Sequence, residues 1–203
     1  MRKLAILASV FAFLFFAQFT FAQQGDFFLG GGTLLSSAAT SGGFPSEKGG
    51  TYINIGGDVV FIKHFGVNVE TAWRATQGPY GTSTGYNFRP ILTDFNLLYQ
   101  PHLGKKAGLD LMAGIGAADA RFYLQGIGQS LGYYNNYVST DHFMEHLGGG
   151  IRYYVWHHLF VRPEIHYYHI QNNNSIQDNG AFSSNSVVRV GASVGYTLGG
   201  GTD

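Results

Sequence analysis

The chain has 203 residues, of which 12% are charged and 16% are aromatic, and equal numbers of basic and acidic side chains leave no net charge at pH 7. This balance gives no electrostatic basis for binding nucleic acid, and a hydrophobic content of 45% excludes a disordered chain. The low charge, the 30 glycines and the lack of cysteine are compatible with a protein that faces lipid in an oxidising compartment.

The first 22 residues have the pattern of a secretory signal peptide. Arg2 and Lys3 provide a basic start, an apolar stretch follows, and Thr20 and Ala22 place small residues at the two positions that signal peptidase reads. We predict cleavage after Ala22, which leaves residues 23–203 as a single domain. A retained membrane anchor is the alternative interpretation.

Apolar and polar residues then alternate in eight segments of about ten residues, the length that a tilted membrane-spanning strand needs. Since successive side chains of a strand point to opposite faces, each segment predicts a strand with one apolar and one polar face. The last segment is the clearest, because its apolar face is unbroken from Val188 to Leu198. In chain order the predicted strands are residues 26–35, 52–62, 65–75, 87–100, 107–118, a segment that ends at residue 155, 159–170 and 188–198.

The connections alternate between short and long. An even number of strands brings both ends of a barrel to one side, and short turns on that side with long loops on the other are typical of outer-membrane barrels. We therefore predict an all-β fold, a single eight-stranded antiparallel up-and-down transmembrane β-barrel. The predicted turns are residues 63–64, 101–106 and 156–158, and the predicted long loops are residues 36–50, 76–86, 119–140 and 171–186.

Strand parity places nine charged side chains on the face that points away from lipid. An eight-stranded barrel is only wide enough for side chains to fill it, and an unpaired buried charge is costly. We therefore predict that these side chains pair with one another and plug the lumen; a narrow ion path is the alternative. The nine residues are Asp58, Glu70, Arg74, Asp94, Asp110, Arg152, Arg162, Glu164 and Arg189.

One short motif is known from metallopeptidases. Residues 142–146 read H-x-x-E-H, which binds zinc when both histidines lie on one face of a helical turn. Here the strand pattern continues through the motif, and in a strand His142 and His146 lie ~13 Å apart, too far for one zinc ion. We therefore predict no metal, no cofactor and no catalytic residue.

Two further alternatives concern function. Some small outer-membrane barrels remove acyl chains from lipid A with a His-x-Ser pair and a glutamate, but none of the eight histidines here has a serine two positions on. We therefore expect no enzyme, although lipid-modifying activity that depends on Glu145 would favour one. A soluble periplasmic ligand-binding barrel is the other alternative, and it predicts a protein that purifies without detergent.

One hairpin adds a family resemblance to these patterns. Residues 148–155 read GGGIRYYV and turn into FVRPE at residues 160–164. With the strand pattern and the signal peptide, this hairpin resembles the small OmpA-like outer-membrane barrel family over about residues 23–198. The resemblance implies a structural or surface-interaction role in the outer membrane, with membrane lipid around the barrel and the barrel-assembly machinery as a partner during biogenesis. It leaves the surface ligand open.

The chain departs from that family in two respects. Family members usually end in an aromatic residue that the assembly machinery recognises, whereas here Tyr196 and Leu198 are followed by residues 199–203, which read GGGTD. No peptidoglycan-binding domain is expected after the barrel.

Overall fold

The computed structural model describes residues 24–36, 46–80, 86–124, 137–173 and 182–199. The predicted signal peptide and parts of all four predicted long loops lie outside these residues. The described residues contain no helix that is long and apolar enough to cross a membrane.

The described residues form nine strands, eight long and one short. Each long strand pairs antiparallel with the next along the chain, and the last pairs with the first, so the eight long strands close into a barrel. The short strand, β4, pairs only with β5. The predicted eight-stranded antiparallel barrel is therefore confirmed. The strands are β1 (Gln24–Ser36), β2 (Thr51–Ile62), β3 (Phe65–Arg74), β4 (Gly78–Pro79), β5 (Tyr86–Tyr99), β6 (Ala107–Leu124), β7 (Tyr137–Trp156), β8 (Leu159–Ile170) and β9 (Ser186–Leu198).

The short connections lie at one end of the barrel. They are residues 63–64 between β2 and β3, residues 100–106 between β5 and β6, and residues 157–158 between β7 and β8. β1 begins and β9 ends at this end, which we call the turn end. The longer connections lie at the opposite end, which we call the loop end.

The prediction of a loop over residues 119–140 is wrong at both of its boundaries. β6 continues to Leu124 and β7 begins at Tyr137, and the two extensions pair with each other. Asp119 and Arg121 make the outward face of this extension polar, so the sequence lacks the apolar outer face that marks a spanning strand. Arg121 stabilises the extension locally, because its Nε lies 3.1 Å from Asp119 Oδ2 and its guanidinium lies 4.8 Å from the ring centre of Tyr137.

The barrel is apolar outside and polar inside. Leu97, for example, is 74% exposed on the outer surface, whereas Arg162 is fully buried in the lumen. A soluble barrel buries its apolar face, and exposed apolar patches of this extent are rare on soluble monomers. The outer surface therefore suits lipid, as the alternating segments predicted.

The strands are staggered around the barrel. Following hydrogen-bonded neighbours from Asp26 through all eight long strands returns to β1 at Ser36, ten residues further along. This stagger tilts the strands against the barrel axis. Residues that meet at one height along the barrel axis are therefore not the residues that pair with one another across neighbouring strands.

Candidate functional site in the barrel lumen

Eight of the nine charged residues assigned to the lumen from sequence are buried inside the barrel. None of them is more than 4% exposed; they are Asp58, Glu70, Asp94, Asp110, Arg152, Arg162, Glu164 and Arg189. The ninth, Arg74, is only partly buried, because it lies at the last position of β3 at the loop end. Its guanidinium lies 5.3 Å from the ring centre of Phe88, and no described carboxylate lies within ion-pair distance of it.

Arg152 of β7 joins three carboxylates near the turn end. It donates hydrogen bonds to Asp26, to Asp58 at 2.8 Å and to Asp110 at 3.0 Å. Its guanidinium also lies 4.1 Å from the ring centre of Phe160, a favourable cation–π distance. One cation therefore connects β1, β2 and β6 across the lumen.

Arg162 of β8 continues this network toward the middle of the barrel. Its Nη1 donates to Asp58 and Asp110, each at 3.1 Å, and its Nε donates to Glu164 at 3.0 Å. The guanidinium lies 4.1 Å from the ring centre of Phe28. Arg152 and Arg162 therefore share two carboxylates, and charge-assisted bonds of this kind are stronger than neutral ones.

Arg189 of β9 joins acidic residues of β3 and β8. Its Nη2 contacts Glu70 of β3 and lies 3.4 Å from Glu164 Oε1. Glu164 also accepts hydrogen bonds from Asn54 at 3.1 Å and from Ser193 at 3.0 Å. All these groups are buried, so the pairs are shielded from screening by salt.

Two histidines complete the network. His146 Nδ1 lies 2.6 Å from Asn96 Oδ1, and His146 Nε2 lies 2.9 Å from His166 Nδ1. Asn96 Nδ2 in turn donates to Asp94 and to Asn68 Oδ1. A continuous polar path therefore runs through β3, β5, β7 and β8.

Three members of this network, Asp26, His146 and His166, were not among the lumen residues predicted from the sequence, although they are buried on the lumen side. The neutral partners Asn54, Asn68, Asn96 and Gln100 lie on the polar strand faces that the alternation predicts, but no part in a network was assigned to them. The parity rule that selects the nine charged residues selects these positions too. The three were missed because the rule was applied to charged side chains within the segments of clearest alternation, and because His146 was considered only as part of the H-x-x-E-H motif.

The residues of that motif do not converge. His142 and His146 both face the lumen, but Glu145 points outward and accepts a hydrogen bond from Gln171 at 3.3 Å. His146 belongs to the central network, whereas His142 lies at the loop end beside Glu47. The strand geometry therefore separates the three groups that a metallopeptidase needs on one helical face.

Apolar side chains pack against the charged network near the turn end and fill the lumen on its loop-end side. Two glycines make room for the rings nearest the turn end, since a Cβ atom at Gly195 would lie 2.2 Å from the Phe160 ring and one at Gly56 would lie 2.4 Å from the Phe28 ring. The turn-end cluster contains Phe28, Tyr154 and Phe160. The loop-end clusters contain Leu34, Tyr52, Leu92, Ala118, Met144, Tyr168, Ile170 and Val187, followed by Phe88, Ala120, Phe122 and Phe182.

A buried carboxyl group lies at the loop end, in the segment between β1 and β2. Glu47 is 4% exposed and contacts a small recess lined by Leu92, Ala118, His142 and Asn173, among others. Burial raises the pKa of Glu47 from 4.5 to about 8, although a hydrogen bond with Asn173 acts in the opposite direction. The protonated form therefore predominates at neutral pH.

This raised pKa predicts a pH-dependent loop end. Because the folded protein holds the proton more tightly than the unfolded chain, the stability of the segment is full below about pH 4.5 and falls as the pH rises toward about 8. Hydrogen exchange of residues 46–50 should therefore accelerate with pH beyond the intrinsic rate. Glu47→Gln should abolish the additional acceleration, and equal profiles for both proteins would contradict the assignment.

Comparison with known proteins identifies the barrel. The sequence model of the outer membrane protein beta-barrel domain matches residues 6–197. The chain belongs to this family. It is an outer-membrane protein, and its apolar outer surface is the lipid-facing surface of a family barrel. No curated protein matches the sequence significantly.

Solved structures of outer-membrane barrels share the fold. The attachment invasion locus protein Ail of Yersinia pestis is 13% identical, with 87% of this chain and 99% of that chain covered and a TM-score of 0.55. Neisserial surface protein A is 13% identical, with 85% and 95% covered and a TM-score of 0.58. A major outer membrane protein of Thermus thermophilus is 11% identical, with 86% and 99% covered and a TM-score of 0.54. At this identity the likeness shows the fold alone.

Proposed function

We propose that this outer-membrane barrel is a closed scaffold rather than a pore, with a lumen plugged by paired charges. The observation that supports the proposal is the buried network of Arg152, Arg162 and Arg189, which reaches carboxylates on strands around the whole barrel. An apolar cluster fills the lumen on the loop-end side of the network, and the rings of Phe160 and Phe28 pack against Arg152 and Arg162 within it. An ion that crossed would have to displace these paired charges.

We further infer that the protein serves the outer membrane structurally or through surface interaction. Long connections at one end of a rigid barrel are where binding residues usually lie, and the predicted loops are rich in Ser, Gly, Asn and Tyr. One structural relative, Ail of Yersinia pestis, has been crystallised with the heparin analogue sucrose octasulfate. Sucrose octasulfate is a ligand of Ail. For this chain, the layout of the loops supports a surface-binding role, and the ligand stays open. We also infer that the barrel-assembly machinery inserts the protein into the outer membrane.

A lipid-modifying enzyme is the competing proposal. The ladder places Glu145, His169 and Ser186 in one row on neighbouring strands, close to the loop end. However, the Ser186 hydroxyl pairs with Tyr167 at 3.0 Å, and among the described residues no hydrogen bond joins His169 to Ser186 or Glu145. A serine nucleophile requires a base within hydrogen-bond reach, so we assign this row no catalytic role.

Planar-bilayer recordings test the closed-barrel proposal. We expect no steady single-channel steps from the wild-type protein, once a heat-dependent gel shift has shown that it is folded. The Arg152→Ser and Arg162→Ser double variant should conduct if it remains folded, because it removes the central cations, whereas Arg74→Ser should stay silent. Large, steady steps from the wild-type protein would overturn the proposal.

A further inference from the structure

The lumen contains more acidic than basic side chains. On the described strands, six buried carboxylates share the lumen with only three buried arginines, so three negative charges are not balanced by arginine. Burial of unbalanced charge is costly, and proteins relieve it by protonation or by binding a cation. The six carboxylates belong to Asp26, Asp58, Glu70, Asp94, Asp110 and Glu164, and the arginines are Arg152, Arg162 and Arg189.

With both imidazole rings neutral, the hydrogen-bond path through the two histidines has a fixed direction. Asn96 Nδ2 donates to the Asp94 carboxylate, which can only accept, so Asn96 Oδ1 is an acceptor. His146 Nδ1, 2.6 Å from that oxygen, must therefore carry a proton, and its neutral ring leaves Nε2 as an acceptor. His166 Nδ1, 2.9 Å from His146 Nε2, must then be the donor of the next bond.

This direction leaves the other nitrogen of His166 with a free lone pair. His166 is 1% exposed, and its Nε2 has no hydrogen-bond partner among the described residues. The nearest carboxylate oxygen, Glu164 Oε1, lies 3.6 Å away, beyond hydrogen-bond distance. Two hydrogen-bond acceptors, His166 Nε2 and Glu164 Oε1, therefore face each other in the interior of the protein.

A third acceptor lies at the same place. Glu70 Oε2 is buried and has no hydrogen-bond partner in the described part of the chain, because Arg189 binds the other oxygen of Glu70 and Arg162 Nη2 is 4.0 Å away. One ligand atom from each of Glu70, Glu164 and His166 lies within 4.8 Å of the other two. Glu164 Oε1 already accepts hydrogen bonds from Asn54 Nδ2 at 3.1 Å and Arg189 Nη2 at 3.4 Å, so the two buried atoms of this group that lack a partner are His166 Nε2 and Glu70 Oε2.

We propose that Glu70, Glu164 and His166 form a divalent metal site inside the barrel, of the class that binds Zn²⁺. One imidazole and two carboxylates are suitable ligands for this ion, with bonds of about 2.0–2.2 Å. At the tetrahedral angle two ligands with such bonds lie about 3.3–3.6 Å apart. The 3.6 Å between His166 Nε2 and Glu164 Oε1 already fits, whereas separations of up to 4.8 Å within the group have to close by about 1 Å. His146 acts as a positioning residue, because the hydrogen bond that it accepts from His166 Nδ1 holds Nε2 free for the metal.

The position of the site determines how the ion enters. Apolar side chains fill the lumen between the site and the loop end, and the paired charges of Arg162 and Arg152 fill it toward the turn end, so the ion is taken up as the barrel folds and is released slowly afterwards. The proposal does not depend on whether the lumen conducts ions.

The test measures zinc in the full-length mature protein, refolded in detergent with ZnCl₂ or with EDTA and passed through a desalting column. We expect one zinc per chain by mass spectrometry after refolding with zinc. His166→Gln should reduce bound zinc to background, whereas His169→Gln, an outward-facing histidine on the same strand, should leave it unchanged. Zinc should also raise the temperature at which the fast-migrating gel band of the wild type disappears, but not that of His166→Gln.

The histidines near the turn end are the alternative ligands for zinc. His64 and His102 lie there with ring centres 5.5 Å apart, and His157 and His158 form a nearby turn. Loss of zinc on replacing these four by glutamine, with retention in His166→Gln, would overturn the proposal. The proposal would also be overturned if correctly folded wild type holds no more zinc than His166→Gln. In that case a second proton on the His166 ring, rather than a metal ion, would offset the excess negative charge.

Discussion

Replacing Arg162 with alanine is expected to lower the free energy of unfolding by about 3–5 kcal/mol, the usual cost of breaking a buried ion pair from one side. Arg162 is fully buried and donates to Asp58, Asp110 and Glu164. Its removal leaves these carboxylates with less positive charge in a region from which water is excluded. Urea titration in detergent, followed by tryptophan fluorescence and by the heat-dependent gel shift, measures the change.

Two further variants separate charge from packing. Arg74→Ala is the matched control, because Arg74 also lies on the lumen face but pairs with no described carboxylate, and we expect a loss below about 1 kcal/mol. Adding Asp58→Asn to Arg162→Ala should recover part of the lost stability, since one uncompensated charge is removed. If Arg162→Ala proves no more harmful than Arg74→Ala, the buried network does not stabilise the barrel as we describe.

Placing a charge on the middle of the lipid-facing surface is expected to have the second largest effect. Ile165 lies at the centre of β8, is 56% exposed and points outward. Ile165→Arg should make folding into lipid vesicles less favourable by about 2–4 kcal/mol, because the guanidinium then lies at the bilayer midplane. Folding into phosphatidylcholine vesicles, assayed by the gel shift across a urea series, measures this loss.

The control for Ile165→Arg is the same substitution outside the membrane. Leu103 is also well exposed, but it lies in the connection between β5 and β6 at the turn end. Leu103→Arg should therefore change the folding free energy by less than about 1 kcal/mol. Similar losses for both variants would show that Ile165 does not face the centre of the bilayer.

The strands and their two faces were predictable from the sequence. The strand predicted over residues 159–170 coincides with β8, and the parity of its residues places Arg162 and Glu164 in the lumen and Ile165 outside. Prediction failed for residues 119–124 and 137–140, where the hairpin of β6 and β7 extends beyond its apolar outer face. Apolar and polar residues alternate along a strand only where its outer face contacts lipid. Where the outer face is polar, this pattern is lost and the strand cannot be predicted from it.

The candidate site was predictable only in part. Parity selected Glu70 and Glu164 as lumen residues, but no local pattern joins them to His166, and the family resemblance adds nothing on this point. The three residues come from β3 and β8, which are not neighbours in the barrel. These residues meet only because of the registers between the paired strands. A register cannot be predicted from the sequence of one segment alone.

The sequence by itself therefore determined the eight segments that cross the membrane and which face of each meets lipid, because side-chain direction alternates along the backbone of every strand. Only the tertiary structure decided which buried groups meet. The stagger of ten residues around the barrel brings Asp26 to Arg152, while His146 lies at the level of Asp26 in the ladder. Contacts across the lumen depend on the registers of all eight long strands together, and a register is a property of paired strands rather than of one segment.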